Sequence, residues 1–199
     1  PECTVEQITS ERFAGKLVYN ANPNLRGASR LKFCAINELA PCDLLFLCLP
    51  HGRTMEAIDH FQALAPRLID LSADFRLTNA DIYKRWYGVE HTRPDLLGTF
   101  VYGVPELHRD VIRSANRVAC AGCNATASTL AVRPLTRRNL VESIVIEVKA
   151  GSSEGGNVAS DASHHPERSG VVRSYRPTGH RHVGEMHQSL GEVPIHFSA

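Results

Sequence analysis

Residues 44–49 read Leu-Leu-Phe-Leu-Cys-Leu, apolar without a break, and Pro50-His51-Gly52 stops the run at once. A run of this length is what a strand buried on both faces of a parallel sheet requires. Past the break, Met55, Ile58, Phe61 and Ala65 recur at the spacing of an amphipathic helix. The same succession returns along the chain. Val5–Thr9, Leu31–Ile36, Leu68–Leu71 and Val118–Ala121 read as further strands, and Asn79–Tyr87 and Glu106–Ala115 as further helices. Strand, short loop and helix in repetition predict a doubly wound α/β sheet.

The pattern changes after Gly122. Asn124 to Arg138 reads as a helix that Pro134 should kink or end. Ser143 to Lys149 alternates like a strand with one solvated face. From Gly151 to Gly191 periodicity is slight, and Gly, Ser, His and Arg dominate, as in a long functional loop. The chain is therefore expected to divide near Gly122, into residues 1–122 and 123–199. It opens on PECTVEQITSER and closes on VPIHFSA, both strand-like, so a piece of a longer protein is expected.

Lys and Arg number 22 against 21 acids, a formal charge of +1, which supplies no global footprint for nucleic acid or an anionic membrane. No apolar stretch approaches the roughly 20 residues of a membrane span, and no basic-then-apolar leader is visible. Of the six cysteines, Cys34 and Cys48 lie in apolar runs and are expected to pack as small hydrophobes. These features together predict a reducing, cytoplasmic setting.

Cys123 stands in AGCNATASTL, between a strand and the start of a helix. Unpaired N–H groups and the helix dipole favour a thiolate there, at the place where open α/β sheets put their ligands. A buried structural cysteine is the competing reading. Cys120 and Cys123 also form C-x-x-C, so a redox pair and a zinc site completed by His180 and His182 are alternatives. The first needs the motif near its domain's start, the second has no second C-x-x-C, and Cys120 is expected to pack.

The segment SHHPERSGVVRSYRPTGHRHVGEMH carries His164, His165, His180, His182 and His187 with Arg168, Arg173, Arg176 and Arg181. Arginine forks match phosphate and carboxylate oxygens, and histidine moves protons near neutral pH. A solvated loop is the alternative. Tyr175 is its only aromatic residue, too little interleaving for nucleic acid. GSSEGGN, Gly151–Asn157, follows a strand but lacks the Lys-Ser/Thr ending of a P-loop. Thr9, Ser10 and Arg12 lie just past the first strand, where a dinucleotide fold meets the adenosine ribose and an arginine favours the 2′-phosphate of NADP. The glycine-rich turn that would precede them is not in the sequence.

With these residues in view, the chain resembles the N-acetyl-γ-glutamyl-phosphate reductase family, relatives of aspartate-semialdehyde dehydrogenase. The matching stretches are TSERFAGK (9–16), LPHG (49–52), IDLSADFRL (69–77), YGVPEL (102–107), AGCNATA (121–127) and GHRHVGE (179–185). Arginine-pathway members usually follow the cysteine with Tyr-Pro. Here Asn124-Ala125 follows, and with SHHPERSG (163–170) and YRPTGHRH (175–182) this resembles the branch serving lysine biosynthesis.

The resemblance implies a Rossmann-like NADP(H)-binding domain without its first β-α unit. It further implies a truncated α+β catalytic domain of the semialdehyde dehydrogenase type. The implied reaction reduces 2-aminoadipate 6-phosphate, held on a small acidic amino-group carrier protein, to the semialdehyde. Free N-acetylglutamyl phosphate in arginine biosynthesis is the first alternative, and a non-catalytic binding module the second. By the same likeness Cys123 is the nucleophile, His182 or His180 the acid/base, and Glu185 its orienting partner. If both histidines lay in an extended strand they would point the same way. Thr9, Ser10, Arg12, Pro50, His51, Gly52, Ser152, Gly155 and Gly156 would meet the cofactor. Arg76, Asn124 and Arg181 would meet the substrate, no metal is expected, and a homo-oligomer is.

Overall fold

The computed structural model describes residues 3–156, 158, 160–161 and 164–199. Asn157 and Ser163, which end and begin two of the motifs above, lie outside the described residues. The first half contains strands β1 (Ile8–Thr9), β2 (Phe33–Cys34), β3 (Leu44–Leu47), β4 (Arg67–Asp70), β5 (Val101–Gly103) and β6 (Arg117–Cys120). Between them run helices α1 (Arg53–Leu64), α2 (Ala80–Tyr87) and α3 (Pro105–Ser114). The second half contains α4 (Cys123–Thr136), β7 (Ile144–Glu147), α5 (His165–Arg168), α6 (His182–Leu190) and β8 (Ile195–Ser198).

Strands β3, β4, β6 and β5 form a four-stranded sheet in that order, parallel throughout. β1 pairs with β2, and β7 with β8, as two further parallel pairs. The α/β architecture matches the pattern of alternating runs. Parallel strands must be joined by crossovers, and the helical segments between them supply these.

α1 forms because its apolar positions fall on one stripe, and Met55, Ile58 and Phe61 are buried against Leu47, Leu68, Phe75, Phe100 and Ala119. Each such side chain contributes roughly 1.5–3 kcal/mol of burial. Phe75 stacks on Phe100 at 4.3 Å between ring centroids. α2 starts at Asn79, whose Oδ1 accepts the amides of Asp81 and Ile82, and ends at Gly88 in the left-handed region with φ 76°.

The apolar run 44–49 departs from expectation. Leu45 and Leu47 face α1, but Phe46 on the opposite face is 55% exposed, and Cys48 is exposed rather than packed. α1 covers one face only, and β3 lies at the edge of this sheet among the described residues. β5, too short to signal itself, fits beside β6 because Gly103 has no side chain: a Cβ there would lie 2.9 Å from the Ala119 carbonyl. Pro134 neither stops nor breaks α4, which runs two residues beyond it. β7 alternates as predicted, with Ile144 buried and Val145 turned outward.

The largest departure lies in the segment read as loop. Its last part folds into α6, which buries Val183, Met186 and Leu190 together with Ala125, Ile144 and Phe197. α6 also packs on the first half. Gly184 lies so close to Trp86 that a Cβ would come within 2.5 Å of its ring, and Thr78 N–H donates to Gln188 Oε1 at 3.0 Å.

Candidate functional site

The C-terminal ends of β3, β4 and β6 open on one edge of the sheet, where a parallel α/β fold gathers its ligand-binding loops. β3 leads into Pro50-His51-Gly52, β4 into Leu71–Arg76, and β6 into Gly122-Cys123. Asp74 ties the first two, accepting the amides of Gly52 (2.7 Å) and Met55 (3.0 Å). That carboxylate takes the place at the start of α1 that a phosphate would need. His51 Nδ1 accepts the Ala73 amide at 2.9 Å, which leaves its ring proton on Nε2. Burial, then the charge of Arg181, holds the His51 pKa below its ordinary value.

Cys123 is the first residue of α4 and is exposed. Its Sγ–H donates to Glu154 Oε1 at 3.0 Å, so the Gly151–Gly156 loop lies against the sulfur. Burial of the sulfur and then the Glu154 carboxylate raise the thiol pKa, while the amides of Asn124 and Cys123 pull the other way. The helix start favours the thiolate as expected, but here it is outweighed. Glu154→Gln removes the opposing charge at constant side-chain length. The thiolate fraction then rises, and iodoacetamide should alkylate Cys123 severalfold faster at pH 7. An unchanged rate would mean that the contact does not form in solution.

His182 opens α6 rather than lying in a strand, and the residue before it, Arg181, is already in the right-handed helical region. Its ring rests directly on the Gly122 Cα: a Cβ on Gly122 would sit 2.5 Å from Nε2. Burial, then the neighbouring His180, pushes the His182 pKa down to about 3, so the imidazole is neutral at physiological pH. The His180 ring stands edge-on to it at 4.5 Å, and His180 Nδ1 accepts the His182 amide at 3.1 Å. The two histidines therefore meet at an angle instead of sharing a direction.

Glu185 was expected to orient the histidine. Its Oε1 is 3.9 Å from His182 Nε2, beyond hydrogen-bond reach. It accepts instead from Tyr102 Oη (2.8 Å), the Gly122 amide (2.8 Å) and Arg76 Nη1 (3.3 Å). Arg76, expected on the substrate, is 6% exposed and engaged by Glu185 and the Leu71 carbonyl. Asn124 is likewise buried, and its Nδ2 donates to Tyr175 Oη at 3.1 Å. Arg181 is exposed over the Tyr87 ring and retains a free face toward solvent.

Thr9 ends β1 and Ser10 and Arg12 follow it, with Arg12 exposed beside the Phe13 ring. Gly155 and Gly156 have open space where a side chain would stand. Cys120 is half-buried in β6, and burial raises its thiol pKa. All six cysteines are free, and no group of three or more His, Cys, Asp or Glu poised for a metal occurs among the described residues. No helix among them is long and apolar enough to cross a membrane. Two contributors escaped the sequence reading, Tyr102 and Glu154. Each lay inside a motif noted for other reasons, and only the fold brings them to residues 83 and 31 positions away.

The family model described as semialdehyde dehydrogenase, NAD binding domain, matches residues 1–115, and that for the semialdehyde dehydrogenase dimerisation domain matches residues 123–199. A Thermomicrobium roseum protein provisionally named LysW-L-2-aminoadipate 6-phosphate reductase is 51% identical over 193 residues, 96% of this chain and 55% of its own length. The LysW-L-2-aminoadipate 6-phosphate reductase of Deinococcus radiodurans is 47% identical across the whole chain and 58% of its own length. The LysW-L-2-aminoadipate/LysW-L-glutamate phosphate reductase of Saccharolobus solfataricus is 43% identical over 97% of this chain and 56% of its own. The chain thus spans between half and two thirds of these relatives. With both family domains matched in order across a parallel α/β sheet and the α4–α6 unit, the chain belongs to the semialdehyde dehydrogenase family.

Proposed function

We propose that the protein reduces an acyl phosphate to a semialdehyde through a thioester on Cys123, with NADPH as reductant. We propose further that the acyl group is 2-aminoadipate 6-phosphate borne on a small acidic carrier protein, in lysine biosynthesis. The observation that carries the reading is Cys123 itself, exposed at the first position of α4 on the ligand edge of the sheet. The names of the relatives support the substrate, and that of the Saccharolobus protein supports the glutamyl homologue as a second one.

Cys123 Sγ attacks the acyl carbon, and phosphate departs with the electrons of the broken C–O bond. The amides that open α4 have no intrahelical acceptors and suit the oxyanion that forms. Reduced nicotinamide, when bound, supplies the hydride. Any proton that the thiohemiacetal oxygen takes up is given back as the carbonyl re-forms and the C–S bond breaks, releasing aldehyde and the thiolate of Cys123. Neutral His182, with His180 behind it, is the group we assign to that proton traffic. Thr9, Ser10 and Arg12 suit the adenosine end of the dinucleotide, and His51, Gly52 and the Ser152–Gly156 loop its other end. Exposed Arg12 suits a 2′-phosphate. Arg181 is the better placed candidate for the substrate's anion.

Arg173, Arg176 and Arg181 are all exposed along one segment, which suits docking of an acidic carrier. The match to a dimerisation domain supports a homo-oligomer, and the free cysteines a cytoplasmic setting. The test is a comparison of substrates on the full-length enzyme. Carrier-bound aminoadipyl phosphate should exceed free N-acetylglutamyl phosphate in kcat/KM by about 100-fold or more. Equal or better turnover of the free compound would overturn the carrier assignment.

A further inference from the structure

We infer that Glu185 is a positioning residue whose buried carboxylate, held by Arg76 and Tyr102, fixes the backbone turn that presents Cys123, and does so independently of His182. The inference rests on the proposed role of Cys123 as nucleophile and names what holds it in place.

Glu185 is fully buried in α6. A carboxylate removed from water is costly unless its charge and lone pairs are met. Here they are met by groups from three separate segments, the loop after β4, β5 itself and the turn after β6. Arg76 brings the charge, its side chain 7% exposed, and its other terminal nitrogen donates to the Leu71 carbonyl just past β4 at 2.9 Å. Tyr102 donates from β5 and the Gly122 amide from the end of β6, both at 2.8 Å to Oε2. These partners lie 109, 83 and 63 residues away along the chain, so only the assembled fold creates the cluster.

The choice of amide gives the cluster its meaning. Gly122 immediately precedes the nucleophile, and no side chain caps α4. Glu185 grips the peptide whose orientation sets where Sγ and the following amides point. A shift of about 1 Å in such a group can cost about 100-fold in rate. His182 is not the intermediary: its Nε2 stands 3.9 Å from the carboxylate, and a neutral imidazole forms no ion pair with it. The Gly122 bond, by contrast, is direct.

The experiment uses full-length enzyme carrying Glu185→Gln or Tyr102→Phe, each alone and combined with His182→Gln. Amide exchange is followed across residues 120–126, alongside Cys123 alkylation, kcat and KM. Glu185→Gln is expected to lower kcat about 100-fold with KM changed less than about threefold. Exchange at the Gly122–Asn124 turn should rise at least about tenfold and alkylation of Cys123 should change, while amides of α1 and β4 keep their protection. Both turn effects should persist in the His182→Gln background. Tyr102→Phe removes one donor to the carboxylate but leaves the Arg76 pair and the Gly122 bond in place, so it should move the same readouts by about threefold to tenfold, and it serves if the Gln variant does not fold.

Unchanged exchange at the turn in either variant overturns the inference, as does an effect that vanishes when His182 is absent. Exchange and alkylation need no substrate. An enzyme that fails to reduce the acyl phosphate would refute the proposed function while leaving this test intact.

Discussion

Replacing Cys123 by serine in the full-length enzyme is expected to abolish acyl-phosphate reduction, with a loss of at least about 10⁴-fold in kcat. The expected size follows from the chemistry of the two atoms. A serine hydroxyl at the same place ionises far less readily than a thiol, and the oxygen ester it would form is a poorer hydride acceptor than a thioester. Cys120, three residues back in β6, is no ready substitute, because burial keeps its thiol protonated. Stability should barely change, within about 0.5 kcal/mol, because the side chain is exposed and a hydroxyl can still donate to Glu154. The check is a pair of measurements on one sample, steady-state turnover and a thermal melt. A folded serine variant that retains a tenth of the activity would remove the thioester from the mechanism.

How much of this was legible in the sequence depends on which force wrote each element. α1 announced itself because Met55, Ile58 and Phe61 occupy one stripe against an apolar core. β3 was equally legible as a strand, but its burial was not. An unbroken apolar run cannot say that Phe46 meets solvent while Leu47 meets α1. α6 went unread because its apolar positions, Val183, Met186 and Leu190, are only three and sit among His182, Gly184, Glu185 and His187. Its most buried polar residue, Glu185, carries no hydrophobic signal, being stabilised by Arg76, Tyr102 and Gly122 from distant parts of the chain. The position of Cys123 at a strand-to-helix turn could be read locally. Its partner Glu154 could not, since a loop of glycine and serine fixes no direction in space.

Gly122→Ala is the smallest change expected to have a large effect, and its cause is steric. The backbone there, φ −66° and ψ 146°, is one that alanine adopts freely, so conformational freedom is not what glycine provides. Contact is. The added methyl would lie 2.5 Å from His182 Nε2, 2.6 Å from Cε1 and 2.8 Å from Cδ2, against the ring itself. The ring has little room to retreat, since His180 stands against it at 4.5 Å and α6 is pinned where Gly184 meets Trp86. Either the ring or the turn must move, and each is assigned a part in catalysis. Overpacking of this kind costs about 1–3 kcal/mol, and the displaced geometry should cost about 100-fold or more in kcat. A double-mutant cycle with His182→Ala isolates the contact. Once the ring is gone, Gly122→Ala should cost at least about 1 kcal/mol less than it does alone, while activity stays low because the acid/base is missing. If the two substitutions simply add, the imidazole does not rest on the turn that carries the nucleophile, and its assignment to the proton step fails with that contact.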